Sequence, residues 1–300
     1  MRPILVLLSL ILICSEGRAQ WLWDYGATIG ASNYLGDIGG KEKTRQNFVS
    51  DIKLTQTRWN VGGFVRYRAA GNISYKVAVD YIRLEGDDQL SSNPGRNYRN
   101  FNFKNDIVDL SCTLNYFFYN NNDLGNTYRF RNGMRAYGFI GAGVFYTNPK
   151  TYYRNQWVAT QPYQTEGYKY KKIVMNIPMG VGFYLTFNKR NRFGFELSYR
   201  KTFTDYIDDI SGNYPATPPA TAYERGLVLR STQMSRAANP AVYDSHTWGQ
   251  KRGDPAHKDA YMTINLSYGR VIRGKPSFYR SKGLGFFGPR RGGRKLRSNF

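Results

Sequence analysis

Residues 193–206 read FGFELSYRKTFTDY. Phe193, Phe195, Leu197, Tyr199 and Phe203 are apolar or aromatic, and Glu196, Ser198, Arg200, Thr202 and Thr204 stand between them. A two-residue period is that of a β-strand with one apolar and one polar face. The polar face carries full charges, Glu196 and Arg200. A soluble sandwich would turn its apolar face to a shared core and its charges to water. A membrane barrel turns the apolar face to lipid and the charges to its lumen.

The same alternation recurs outward from this stretch. It predicts further strands at 23–34, 58–68, 75–83, 106–119, 135–147, 173–187 and 261–270. In one of them Leu110, Cys112, Leu114, Tyr116 and Phe118 alternate with Asp109, Ser111, Thr113 and Asn115. Cys112 thereby falls on the apolar face, as a small apolar residue rather than a reactive thiol. The connections at 35–57, 84–104, 148–172 and 207–259 are long. Those at 69–74, 120–134 and 188–192 are shorter. Eight strands with long and short connections in alternation predict an all-β, eight-stranded antiparallel up-and-down transmembrane β-barrel of the outer-membrane type. With the N-terminus in the periplasm, the long loops face outward and both chain ends lie in the periplasm.

The soluble alternative is a lipocalin-like barrel, apolar inside and polar outside. Here Arg66, Lys76, Asp80, Asp109, Glu196 and Arg200 all fall on the face opposite the apolar one, which favours the membrane. An eight-stranded barrel is just wide enough for side chains to fill it. These six residues are therefore expected to form an ion-pair network that plugs the lumen and leaves no sizeable pore.

The N-terminus supports export. Residues 1–19, MRPILVLLSLILICSEGRA, combine Arg2, an apolar core and small residues at Gly17 and Ala19, the pattern of a signal peptide. Cys14 suggests a lipoprotein, but Ile13 before it is not the small residue such processing wants. Removing Arg2, Glu16 and Arg18 lowers the formal charge from +22 to +21. Of two cysteines only Cys112 then remains, so no internal disulfide is available. Residues 20–270 are read as the barrel and 271–300 as a basic tail. Aromatic residues make up 16% of the chain, with 25 Tyr, which fits interfacial girdles.

Two stretches resemble a family. GASNYLGDIGG at Gly30–Gly40 follows the first strand, and TDYIDDISGNY at Thr204–Tyr214 closes the seventh. With the strand layout from about Trp23 to Arg270, they resemble the PorG-like outer-membrane proteins of the Bacteroidetes type IX secretion system. The resemblance implies a structural part of a protein secretion machine, sitting in outer-membrane lipid. It also implies partners, a periplasmic ring lipoprotein and its associated protein. The end of the chain departs from small barrels that finish on their last strand.

That end is the first candidate site. Arg273, Lys275, Phe278, Tyr279, Arg280, Arg290, Arg291, Arg294 and Lys295 lie in a segment without acids. Such composition suits a disordered, solvated terminus. It equally suits docking on an acidic partner or anionic headgroups, with the aromatics as anchors. A periplasmic location excludes nucleic acid. Asp205, Asp208 and Asp209 are weak candidates for a metal, since calcium needs clustered oxygens. Carboxylates also serve ordinary turns, and no cofactor is expected. Asp244, Ser245 and His246 adjoin in the longest loop, but neighbours in a loop seldom form a triad. No GxSxG, HExxH or phosphate-cradling glycine loop is present, so no enzyme is expected. Two other readings stay open: an adhesin or receptor acting through its outer loops, and a lipid-modifying barrel enzyme using His246.

Overall fold

A computed structural model describes residues 23–38, 54–70, 72–91, 93–120, 133–188, 190–231 and 240–272. Its wall is built from β1 (Trp23–Leu35), β2 (Arg58–Ala70), β3 (Ile73–Asp87), β4 (Asn102–Asn120) and β5 (Gly133–Tyr146). It continues through β8 (Ile173–Phe187), β9 (Asn191–Thr202) and β10 (Ala260–Ile272). Each wall strand pairs antiparallel with its neighbour in the chain, and β1 pairs with β10 to close the ring. The result is an eight-stranded up-and-down barrel. Closure removes the open edges that an isolated sheet would leave unpaired.

The alternation decides what faces where. Along β3, Tyr75, Val77 and Val79 are exposed while Lys76, Ala78 and Asp80 are buried. Along β4, Leu110, Leu114, Tyr116 and Phe118 point outward, with Cys112 among them, and Asp109 and Asn115 point in. In β9, Phe193 is exposed whereas Glu196 and Arg200 are buried. The apolar face thus lies outside, as the membrane reading requires. Two outward aromatic belts bound it. Trp23 lies tilted 4.7 Å from Tyr67 at the short-turn end, and Trp59 stacks 5.4 Å from Tyr81 at the long-loop end. Trp59 and Tyr67 are on one strand, ~27 Å apart along it and ~20 Å apart in height at a usual tilt. That matches the ~25 Å apolar band of outer-membrane barrels.

Several expected boundaries move. β3 runs on to Asp87 and β4 begins at Asn102, because outward charges pair across the two strands. Arg83 Nε lies 2.7 Å from Asp106 Oδ1, and Lys104 Nζ lies 3.9 Å from Glu85 Oε1. The expected turn at 188–192 shortens, since Asn191 and Arg192 belong to β9. The expected loop at 148–172 contains a ribbon, β6 (Lys150–Tyr153) and β7 (Gln156–Ala159), which joins the wall at Lys104↔Lys150. The barrel does not stop at residue 270. Val271 and Ile272 pair with Asp24 and Trp23, and Val271 N donates to Arg190 O. The expected boundary at 270/271 therefore falls inside β10, and the rest of the expected tail, 273–300, lies outside the described residues.

The described parts of the long connection 203–259 pack onto the mouth. They carry α2 (Ala222–Val228) and α3 (Pro240–Asp244), while α1 (Pro94–Arg99) comes from the loop between β3 and β4. Ile207 and Ile210 are fully buried in one apolar cluster with Tyr34, Ile82, Leu84, Phe101, Phe103, Ile107, Phe145 and Tyr261. Burying each isoleucine stabilises the closed mouth by about 1.5–3 kcal/mol. Asn105 Nδ2 donates to Ile207 O at 2.7 Å and so ties the plug to β4.

Candidate functional site

The six lumen residues expected from the sequence all point inward and form two groups. Arg200 Nη2 donates to Asp80 Oδ2 at 2.7 Å and Nη1 to Asp109 Oδ2 at 2.5 Å. Asn176 Nδ2 donates to Asp109 Oδ1 at 3.0 Å, and Thr28 Oγ1 to Asp80 Oδ1 at 3.3 Å. Gly62 sits directly opposite Asp80 on β2, and a Cβ there would collide with the Asp80 carboxylate. The missing side chain is what gives Asp80 its place. Nearer the short turns, Lys76 Nζ reaches both Glu196 oxygens at 2.7 and 2.6 Å, and Tyr137 OH donates to Glu196 Oε2 at 2.9 Å. Arg66 lies over the rings of Tyr137 and Tyr184 and 3.7 Å from Asp24.

The network is larger than expected. Arg192 Nη1 lies 3.0 Å from Asp24 Oδ2, and the buried Arg135 lies 3.5 Å from Tyr184 OH. Asp24 sits on the inward parity of β1, so the sequence signal was present. Arg192 falls in the expected turn at 188–192, and Arg135 opens an expected strand whose Gly-rich sequence alternates weakly. Three carboxylates against three cations make the expected set neutral. Asp24, Arg135 and Arg192 add one net positive charge at the short-turn end.

At the other mouth the two family-like stretches meet. Tyr34 Oη lies 2.7 Å from Asp208 Oδ2 and 2.6 Å from Asp259 Oδ1. A hydroxyl carries one hydrogen, so it donates to one carboxyl, and the other must donate to the tyrosine oxygen. The pair therefore holds a proton. Burial first, and then repulsion from Asp259 and Asp37, pushes the Asp208 carboxyl well up from the ordinary range. Asp259 is pushed up by burial and by Asp205. Burial also raises Asp37, against the pull of the Asp254 N–H and of Arg99. The metal candidates point to different partners. Asp208 accepts from Ile210 N, while Asp209 accepts from Thr165 Oγ1 and Tyr170 OH and pairs with Arg252. Asp205 is buried as well. Among the described residues no His, Cys, Asp or Glu group is arranged to hold a metal ion.

Two buried arginines rivet the loops above this latch. Arg99 grips Asp88 with two bonds and donates to Asp37 O and Arg252 O. Arg252 reaches Glu166, Thr165 and Asp209. Beside them lies a cavity of about 430 Å³ whose lining includes Arg96, Ser245, His246 and Lys251. Ser245 Oγ is 3.1 Å from His246 Nδ1, but that nitrogen is also 2.9 Å from Val242 O. A carbonyl only accepts, so Nδ1 carries the hydrogen and cannot take a proton from Ser245. Burial lowers the His246 imidazole from its usual range. The tail candidates Arg273, Lys275, Phe278, Tyr279, Arg280, Arg290, Arg291, Arg294 and Lys295 lie outside the described residues, as does the expected signal peptide.

Residues 2–225 match the family described as Domain of unknown function (DUF6089). No curated protein matches the sequence. Among solved structures, the outer membrane protein OprG from Pseudomonas aeruginosa is similar at 10% identity, covering 86% of this chain and 99% of that one with a TM-score of 0.40. The attachment invasion locus protein Ail of Yersinia pestis is similar at 8% identity, covering 84% and 99%, with a TM-score of 0.35. At these identities and scores nothing about activity passes from them to this chain.

Proposed function

The chain belongs to the DUF6089 family, and we propose that it is a structural, non-enzymatic component of the outer membrane that serves the type IX protein secretion machinery. In this reading the long loops face outward and both chain ends face the periplasm. The short turns and the basic tail then meet a periplasmic ring lipoprotein and its associated protein. The observation that carries the reading is the filled barrel. Its lumen is closed by ion pairs in the middle and by Ile207 and Ile210 at one mouth, which leaves the two end surfaces as the places to act. The likeness to the PorG-like proteins rests on the stretches at Gly30–Gly40 and Thr204–Tyr214, which the fold brings together where Tyr34 bonds Asp208. An apolar wall bounded by aromatic belts supports the membrane location.

The test is co-purification from crosslinked envelopes, comparing the full chain with one ending at Ile272. Loss of the periplasmic partners on truncation is expected; unchanged recovery would remove the tail from the reading. Cutting before Val271 is no test, because that residue is part of the β1–β10 seam.

A second reading, an adhesin or receptor working through the long loops, draws on the riveted outer cap and its cavity of about 430 Å³. Replacing 212–250 by a short linker should then abolish function while truncation at Ile272 leaves it intact.

A further inference from the structure

The β6–β7 ribbon is not needed to close the ring. It pairs with the wall at one rung, Lys104↔Lys150, and stands at the long-loop end. Tyr152 and Trp157 oppose each other across it with ring centroids 5.4 Å apart, and they are 42% and 43% exposed. They border a cleft of about 320 Å³ that also includes Gln56, Glu85, Asp87 and Asn102.

Charge around this cleft balances, Arg58 and Lys104 against Glu85 and Asp87. Arg58 Nε lies 2.5 Å from Glu85 Oε2, and Lys104 Nζ lies near Glu85 Oε1 and over the Trp157 ring. The cleft is therefore ill suited to a simple ion. Its uncharged chemistry is mixed. Gln56 Nε2 donates to Asp87 O, which leaves its carbonyl oxygen as an acceptor. Asn102 Oδ1 accepts from Thr151 Oγ1 and Tyr152 N, which leaves its amide hydrogens as donors. A half-exposed aromatic pair beside both donors and acceptors suits a flat ring with an apolar C–H face and a rim of hydroxyls. A pyranose has that form.

Height narrows the source. Trp59 and Tyr81 form the aromatic belt at this end. Glu85 and Asp87 lie further along the same strand, ~14–20 Å beyond Tyr81 and so ~10–15 Å above the belt on a tilted strand. Saccharide headgroups of a glycolipid leaflet stand at that level. We propose that this cleft binds a pyranose unit in the headgroup glycan of a membrane glycolipid. The proposal rests on the long-loop end facing outward, and otherwise does not depend on the secretion partner.

The test is calorimetric titration of the full chain in detergent micelles with the deacylated oligosaccharide of lipopolysaccharide. Saturable binding is expected, weakened at least tenfold by Trp157→Leu or Tyr152→Ala and unchanged by Trp59→Leu, which changes the belt. Heat-dependent gel mobility confirms that each variant is folded. Intact lipopolysaccharide should bind more tightly than the free oligosaccharide; equal affinity would overturn the membrane source. No binding by the parent protein, or wild-type affinity in Trp157→Leu, would overturn the site. So would a Trp157→Leu effect confined to vesicles of phospholipid alone, which would make the residue an interfacial anchor. Micelle binding is blind to orientation, so protease shaving of the long loops on intact cells separates a failed cleft from a failed orientation.

Discussion

Replacing Arg200 by methionine tests the idea that a central ion cluster holds the wall together. Arg200 is 3% exposed and bonds two carboxylates at 2.7 and 2.5 Å. Asp80 and Asp109 are direct cross-strand partners on β3 and β4, so without the guanidinium two like charges face each other in a closed interior. Removing one partner from a buried pair costs about 3–5 kcal/mol, because the remaining charge is stranded. Methionine roughly keeps the volume, so packing loss adds little. Changing Asp80 and Asp109 to asparagine as well should recover most of the loss, to within ~1–2 kcal/mol of wild type, since an uncharged replacement of such a cluster is often neutral. The assay is reversible urea unfolding in micelles, followed by tryptophan fluorescence and by heat-dependent gel mobility. An Arg200→Met protein within ~1 kcal/mol of wild type would refute the reasoning, because it would mean that water already screens the cluster.

Ile210→Ala should cost about 2–5 kcal/mol at a site with no exposure. That loss should fall on the plug, so faster hydrogen exchange at 203–212 with unchanged exchange in β4 and β5 is expected; uniform loss through the wall would contradict a separable cap. The latch should depend on pH. Asp37, Asp208 and Asp259 have raised carboxyl constants in the folded state. Their contribution is therefore complete below the ordinary carboxylate range and is lost as pH rises through the raised values. Proteolysis of the 203–259 connection should quicken as pH rises across that window, and Asp208→Asn should flatten the response; a flat response in the parent protein would speak against the shared proton. Gly62→Val should destabilise the barrel by at least ~1–3 kcal/mol through overpacking against Asp80, read by the same urea titration. A neutral result would show that Asp80 can move aside.

The wall was legible because outer and inner faces differ in most of its strands; β5 is the exception, with Tyr137, Phe139 and Phe145 inside and Met134, Ile140 and Val144 outside. Alternation such as Val77–Ala78–Val79–Asp80 needs no other information. Legibility ends where the outer face becomes charged, which is why β3 and β4 run past their expected ends through Arg83, Glu85, Lys104 and Asp106. The β6–β7 ribbon escaped notice because its turn is Arg154–Asn155, both with positive φ, at 49° and 63°. A two-residue hairpin of that kind is normally announced by Asn-Gly or Asp-Gly, and arginine gives no such sign. The plug was hidden for another reason. Ile207 and Ile210 stand among Asp205, Asp208 and Asp209, and only tertiary pairing, with Tyr34 for Asp208 and with Thr165 and Arg252 for Asp209, lets those two carboxylates be buried beside them. The charges of the lumen could be named in advance, but their division into an Arg200 group and a Lys76 group depends on stagger between strands.

The seam between β1 and β10 has a consequence for how the molecule is made. On one side Trp23 pairs with Tyr67, but on the other it pairs with Ile272, so the cylinder cannot shut until the last wall strand is present. Until then the first strand is an unsatisfied border that can zip onto a stray neighbour. Joining such distant points is also slow, because so much chain freedom must vanish before any reward comes. Biogenesis must therefore shelter the nascent chain throughout transit, and any lesion within the final dozen described residues should strand it as an open ribbon.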